Sequence, residues 1–445
     1  MKRLPLVSGR ALDEILAWRP SGAVSVREFV AQALALSERL PAGPWAINLC
    51  EDRYNFAVSF AACQLCGKTS LQPSSQSAAT LRQLAMDYPG AWCLVDSAAD
   101  VGGLPAFRCP ELSGQNDGVT VPTIEADHVA AILFTSGSTG LPQAHGKTWG
   151  KLVQNGQAEA RGLELNNRSY AIVGTVPAQH SYGFESTFLL ALHGGCTFWA
   201  GKPLYPQDVV QSLQAVPRPR MLVTTPFHLS TMMASGLELP PLDKVLSATA
   251  PLSRELARQV EERTQTLVQE IYGSTESSAL ASRRTTDGDA WQLLPGVAME
   301  QEGDATYAFN GHVAGRVPLA DAIELLPSGQ FLLHGRLADS INIAGKRTSL
   351  SYLNHQLTSI DGVEDGAYFV PDDAAGRGVT RLAAFVVAPT LDRKQLLHAM
   401  RQRIDPVFLA RPLIWVDALP RNSTGKLPRS ALHALYLQRV TNGRA

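Results

Sequence analysis

Residues 129–142 read Val-Ala-Ala-Ile-Leu-Phe-Thr-Ser-Gly-Ser-Thr-Gly-Leu-Pro. The apolar run 129–134 has the length and character of a buried strand. It opens into a loop of small residues, 135–140. Thr135, Ser136, Ser138 and Thr139 supply hydroxyls, while Gly137 and Gly140 let backbone N–H groups approach a ligand closely. Such a loop suits phosphate oxygens. It is not a Walker A loop, because Gly-x-x-x-x-Gly-Lys is absent. Taken alone, a Gly/Ser loop is also an ordinary linker.

Working outward, short apolar runs at 45–49, 92–95, 170–176, 220–224 and 244–247 read as further buried strands. Helical patterns occupy 24–40, 150–161, 206–215 and 252–263. Alternating strands and helices imply parallel α/β sheets. After about residue 300 the texture changes. Residues 320–326 and 330–334, around Pro327-Ser-Gly329, read as a hairpin. Strands at 366–370 and 381–388 flank a turn-rich segment, and a helix follows at 391–403. The expected division is a large α/β domain over 1–336 and a small α+β domain over 337–445.

The chain has 445 residues, enough for two or more domains, and its 45% hydrophobic and 18% charged content is that of a globular protein. A net charge of -1 gives no electrostatic footprint for nucleic acid or an anionic membrane. No run approaches the ~20 apolar residues of a membrane span, and the N-terminal apolar run is too short for a signal peptide. A cytoplasmic protein is the expectation. Cys63 and Cys66 form a C-x-x-C with apolar, helical flanks and no second pair at zinc spacing. Both read as buried core cysteines.

Three later segments complete the pattern. Residues 271–276 are Ile-Tyr-Gly-Ser-Thr-Glu, 335–347 are Gly-Arg-Leu-Ala-Asp-Ser-Ile-Asn-Ile-Ala-Gly-Lys-Arg, and 419–429 are Leu-Pro-Arg-Asn-Ser-Thr-Gly-Lys-Leu-Pro-Arg. With the loop at 134–142 and in this order, they resemble the adenylate-forming (AMP-binding) superfamily. Its members include acyl-CoA synthetases, aryl-acid ligases, peptide-synthetase adenylation domains and luciferases. The resemblance implies a large N-terminal domain of parallel βαβ-type sheets with a distorted barrel subdomain. It also implies a small, mobile C-terminal α+β lid.

By resemblance, Thr135, Ser136, Gly137, Ser138, Thr139 and Gly140 form the phosphate loop. Tyr272 stacks on adenine within the run Tyr272, Gly273, Ser274, Thr275. Thr275 contacts the α-phosphate and Glu276 holds Mg²⁺, a hard cation suited to a carboxylate beside phosphates. Asp321 takes the ribose hydroxyls, and Arg336 reaches ribose or phosphate. Ala248, in a small-residue turn, lines the adenine and acid pockets with Gly273. His180, in Val176-Pro-Ala-Gln-His-Ser-Tyr-Gly183, gates the acid pocket. Ala338 stands where the hinge residue is expected, and Asp339 can take that polar role. Ala344 and Gly345 line the thiol tunnel. Lys426 bridges the carboxylate and the α-phosphate, countering developing charge. Pro420, Gly425 and Arg429 match around it.

The chain departs from the pattern at Gln143 and Asn342, where lysines are usual, and at Ala338. Lys147 lies near enough in sequence to supply the first missing charge. Amino-acid-activating relatives carry a Phe-Asp pair near His180, whereas this chain has Phe184-Glu185 in another frame. The implied reaction joins ATP and a small carboxylic acid into an acyl- or aryl-adenylate. It then transfers the acyl group to a phosphopantetheine thiol. The string Gly-Lys-Arg-x-Ser-Leu at 345–350 is similar to small ligases of aryl-polyene and related pigment clusters, which favours an acyl carrier protein as acceptor. Lys346, Arg347, Arg377 and Arg381 offer basic charge for docking it. An acyl- or aryl-CoA ligase, an amino-acid adenylation enzyme and a silenced adenylate-binding protein stand as alternatives.

Overall fold

The computed structural model describes residues 2–73, 75–111, 117–136, 142–165, 167–303, 305–336, 340–343, 346–371, 382–421 and 427–442. Two mixed sheets with parallel cores dominate. One has six strands in the order Pro142–Thr148, Val129–Ser136, Thr69–Gln72, Trp45–Asn48, Trp92–Val95, Ala106–Arg108. Every pairing is parallel except the first, where Pro142–Thr148 returns antiparallel to Val129–Ser136. That return strand, the continuation of the small-residue loop, was not apparent as a strand in the sequence.

The second sheet has eleven strands. Its parallel core runs Leu267–Ser274, Lys244–Ser247, Arg220–Thr224, Ala171–Gly174, Thr197–Trp199, Ile15–Arg19. Strands Ala171–Gly174 and Lys244–Ser247 are buried along their whole length, which is why they read as unbroken apolar runs. Helices that connect the strands of the two sheets start on local caps. Ser25 accepts from the Glu28 N–H, Asp52 from Asn55 and Ser253 from Leu256. Beyond Leu267–Ser274 the sheet turns antiparallel through Ser278–Arg284, Ala290–Leu293 and the expected hairpin Asp321–Leu325/Phe331–Arg336. The antiparallel strands of the expected barrel region divide between this extension and a separate sheet of Ala298–Glu302, Ala305–Phe309 and Arg316–Pro318.

The C-terminal part is α+β. Asp365–Phe369, Ala383–Val387 and Leu413–Trp415 form a three-stranded sheet, packed with helices Leu350–Thr358 and Arg393–Arg401. Among the described residues, no hydrophobic cluster mixes residues before 336 with residues after 340.

One expectation fails. Cys63 is buried, but Cys66 is exposed. It caps the C-terminus of helix Arg53–Leu65, where the chain turns out of the core at Gly67, and its thiol donates to the Ser37 carbonyl. The helical periodicity that covers Cys63 ends one residue too early to cover Cys66.

Candidate functional site

Ligands of open parallel sheets bind beyond the carboxyl ends of the strands. Here those ends lead into 176–183, 248–252 and 275–277, which carry His180, Ala248 and Glu276. The turn at the end of Leu267–Ser274 is tightly built. A Cβ on Gly273 would lie 2.3 Å from the Ser278 carbonyl oxygen and 2.9 Å from Ala279 Cα, so glycine is required beside the bulge between Tyr272 and Gly273. The Ser274 N–H donates to Ser277 Oγ at 3.2 Å, closing the turn that presents Thr275 and Glu276.

The return strand Pro142–Thr148 meets this turn. Its alternate residues Gln143, His145 and Lys147 share one face and run from exposed to half-buried to buried. Lys147 is 6% exposed, and its ammonium donates to the Glu276 carbonyl at 2.9 Å and to Ser278 Oγ at 3.0 Å. Burial lowers its pKa, against the opposing pull of the Glu185 and Glu276 carboxylates. Lys147 therefore does not replace the loop lysine missing at 143; its charge is committed to the Glu276 turn. His145 Nε2 lies 3.2 Å from Thr135 Oγ1 and 3.6 Å from Glu276 Oε1. Burial lowers the His145 pKa despite the neighbouring Glu276 carboxylate, so the imidazole is held toward its neutral form.

At a second point of the site, the Tyr272 hydroxyl donates to Asp321 Oδ2 at 2.7 Å. The Tyr272 ring packs edge-on against Phe331, centroids 5.6 Å apart, and lies 5.7 Å from Trp291. In the hairpin ladder the backbone of Asp321 stands opposite that of Arg336. A ring beside a carboxylate can take a base and a vicinal diol.

The 176–183 segment is anchored from the sheet. The Tyr182 hydroxyl donates to the Leu246 carbonyl at 2.9 Å, which ties the segment to the strand leading into Ala248. His180 caps the short helix Ser181–Gly183, its Nδ1 accepting from the Tyr182 N–H at 3.3 Å. A Cβ on Gly183 would stand 2.1 Å from the Pro177 carbonyl oxygen, so only glycine closes this loop. Ala248 is 8% exposed, and Thr249 after it has φ +79°, a strained conformation for a β-branched residue.

Glu185, on the π-helix Phe184–Leu189, is buried. Its carboxylate accepts from Ser181 Oγ at 2.9 Å and from the Ala279 N–H at 3.0 Å. Burial raises its pKa, with Lys147 opposing. Both oxygens are engaged by the protein itself.

The chain has relatives among known proteins. The model of the AMP-binding enzyme family matches residues 54–303, more than half of the chain. The chain belongs to this family. It is an AMP-forming ligase of the adenylate-forming superfamily. The 4-coumarate–CoA ligase of Rhodobacter capsulatus is 27% identical to it over 276 residues, covering 62% of this chain and 67% of that one. The antimetabolite synthetase AmbB of Pseudomonas aeruginosa is 26% identical over 381 residues, covering 74% of this chain and 30% of the much longer relative. The fold matches ATP-bound MatB from Rhodopseudomonas palustris with a TM-score of 0.80 at 19% identity, over 96% of this chain and 97% of that one.

For this AMP-binding enzyme, the structure brings Thr135 and Glu276 together through His145, and Tyr272 and Asp321 into direct contact. Gly137, Ser138, Thr139, Gly140, Ala338, Asp339, Ala344, Gly345 and Lys426 lie outside the described residues, as do Arg377 and Arg381. Ser136 ends its strand and Arg336 ends the hairpin. Lys346, read as docking charge, is ion-paired with Asp405. His145 and Tyr182 belong to the site without carrying a sequence motif of their own. The alternation Gln143–His145–Lys147 was the available signal for the first. No helix among the described residues is long and apolar enough to cross a membrane.

Proposed function

We propose that the chain joins ATP and a small acyl or aryl acid into an adenylate, then passes the acyl group to a phosphopantetheine thiol. The observation that carries this reading is the convergence of the return strand on the 273–278 turn. Lys147 is bonded to the Glu276 carbonyl, His145 stands between Thr135 Oγ1 and the Glu276 carboxylate, and Tyr272 and Asp321 are in contact. In this reading Thr135 and the loop that follows hold the phosphates. Tyr272 and Asp321 hold the nucleoside. Thr275 faces the α-phosphate, and His180, Ala248 and Gly273 border the acid.

Glu276 fits a magnesium ion. It is a half-buried carboxylate with no lysine or arginine ion-paired to it among the described residues. One carboxylate plus substrate phosphates is a donor set Mg²⁺ accepts while keeping several waters. Bound there, Mg²⁺ would neutralise phosphate charge. The commitment of Glu185 to Ser181 and Ala279 supports an acyl or aryl acid over an amino acid, because that carboxylate does not stand free for a substrate ammonium.

We also infer a division at 336/337, with Ala338 or Asp339 as pivot and Lys426 acting in the first half-reaction. The separate C-terminal core supports this. Coenzyme A and a holo carrier protein present the same reactive arm. CoA ligases among the relatives support coenzyme A. The 345–350 string supports the carrier protein, although Lys346 is already paired with Asp405.

ATP–pyrophosphate exchange over a panel of acids tests the first step. Lys426→Ala is expected to reduce exchange by ~10²–10³ while sparing thioester formation from supplied acyl-adenylate. Equal loss in both half-reactions would refute the two-conformation scheme. Exchange with amino acids alone would overturn the acid class. Coenzyme A and holo carrier protein at equal concentration, with one accepted acid, decide the acceptor.

A further inference from the structure

The turn 50–53 joins the two large sheets. It follows strand Trp45–Asn48 and leads into helix Arg53–Leu65. Its own sheet holds it firmly. Asp96, one residue past strand Trp92–Val95, accepts from the Glu51 and Asp52 N–H groups at 2.9 and 3.0 Å and from Asn55 Nδ2 at 3.1 Å.

Hydrogen bonds leave this turn for the other sheet. The Cys50 carbonyl accepts from Gln179 Nε2 at 2.8 Å, and the Arg53 N–H donates to the Ala200 carbonyl at 2.8 Å. Arg53 Nη2 donates to the Gly174 carbonyl at 3.2 Å and to the Val176 carbonyl at 2.8 Å. A Cβ on Gly174 would lie 2.5 Å from Arg53 Nη1 and 2.9 Å from Thr187 Cγ2, so glycine is what lets the guanidinium reach the strand end. Arg53 is 2% exposed, and its Nε and Nη1 have no hydrogen-bond partner among the described residues. Burial lowers its pKa to about 10, opposed by the Asp52 carboxylate, so the side chain remains a cation at neutral pH.

We propose that Arg53 is a positioning residue for acid activation: from the other sheet it fixes the end of strand Ala171–Gly174 and, through it, the segment that carries His180. This rests on the reading of 176–183 as the border of the acid pocket. The segment is held at 174–176 by Arg53, at Gln179 by the Cys50 carbonyl and at Tyr182 by the Leu246 carbonyl. His180 lies between the last two tethers, and the first two come from one turn. A side chain that only filled this space would be apolar, because burying an unpaired cation is costly. An apolar side chain could not donate to the Gly174 and Val176 carbonyls.

The test is ATP–pyrophosphate exchange by Arg53→Met, with acid and ATP varied in turn, alongside amide hydrogen exchange across 174–183. The kcat/KM for the acid should fall by ~10²-fold, as expected when a reactant is misplaced by about an ångström, while the KM for ATP stays unchanged. The amides of 176–183 should exchange faster than in the wild type. In Arg53→Ala, added guanidinium ion should restore use of the acid where the same concentration of ammonium does not. A merely structural role would raise both KM values together, and that result would overturn the proposal, as would unaltered acid kinetics in a folded variant. Should substitutions at 53 prevent folding, Gln179→Leu removes only the second tether, and it must raise the KM for the acid alone or the proposal fails. A wild-type protein that exchanges with no carboxylic acid would instead refute the acid reading, and hydrogen exchange at 176–183 would still decide whether Arg53 holds the segment.

Discussion

The 273–278 turn and the start of strand Pro142–Thr148 belong to one candidate site but are held differently. At the turn, Gly273 has no room for a Cβ, and Lys147 grips the Glu276 carbonyl from a buried position. Gln143 is exposed and meets Thr135 across the ladder. A position whose side chain would strike backbone cannot vary, whereas a solvent-facing one can. The pattern Tyr-Gly-x-Thr-Glu is accordingly intact at 272–276, while the lysine expected at 143 has become glutamine. The site keeps its scaffold and changes its rim.

Substitutions can break or sharpen that contrast. The largest effect is expected from Lys147→Met. It removes two hydrogen bonds from the turn and the cation nearest Glu185, and should cost about 3–5 kcal/mol in urea unfolding. A loss under about 1 kcal/mol would mean the turn is not held from below. Next comes Gly273→Ala. Its Cβ must displace backbone at Ser278 and Ala279, so a loss of about 1–3 kcal/mol is expected, together with weaker ATP binding by calorimetry.

Third, Glu159 lies fully buried on the helix that continues the return strand, and burial raises its carboxyl to about 8. Its folded value is above the unfolded value of about 4.3, so folding retains this proton. Stability is complete below the unfolded value and is lost as pH rises toward 8. Glu159→Gln should therefore stabilise the protein by about 1–3 kcal/mol at pH 8 and much less at pH 5, read as paired Tm shifts. Equal shifts at both pH values would show that the carboxyl is not neutral in the fold. The smallest effect belongs to Gln143→Lys. Stability should change by less than about 0.5 kcal/mol, while pyrophosphate affinity in the exchange assay rises. A large loss of stability there would end the distinction between scaffold and rim.

Much of the fold is legible in the sequence. The runs at 129–134, 170–176, 220–224 and 244–247 hold strands, the second over Ala171–Gly174, because buried parallel strands must be apolar on both faces. The helix at 150–161 and the hairpin around 327–329 also appear where periodicity and turn residues put them. The return strand Pro142–Thr148 was hidden, because Gln-Ala-His-Gly-Lys alternates polar residues with Ala and Gly rather than with β-branched residues. Cys66 was misplaced because its distance from Cys63 resembles a helical turn, yet the helix ends at Leu65.

The sequence by itself determined the order of the elements, the small-residue loop, the Tyr272–Glu276 run and the glycines on which the turns depend. These are local properties: propensity, periodicity and spacing act within one element or one turn. Only the tertiary structure decided what those residues touch. Lys147 meets Glu276 across 129 positions, Tyr182 meets Leu246 across 64, and Tyr272 meets Asp321 across 49. A side chain's own periodicity reports which face of its element it occupies, but its partner is set by how separate elements pack against one another. Tertiary packing is therefore what turned a lysine expected to serve the loop into the buried brace beneath Glu276.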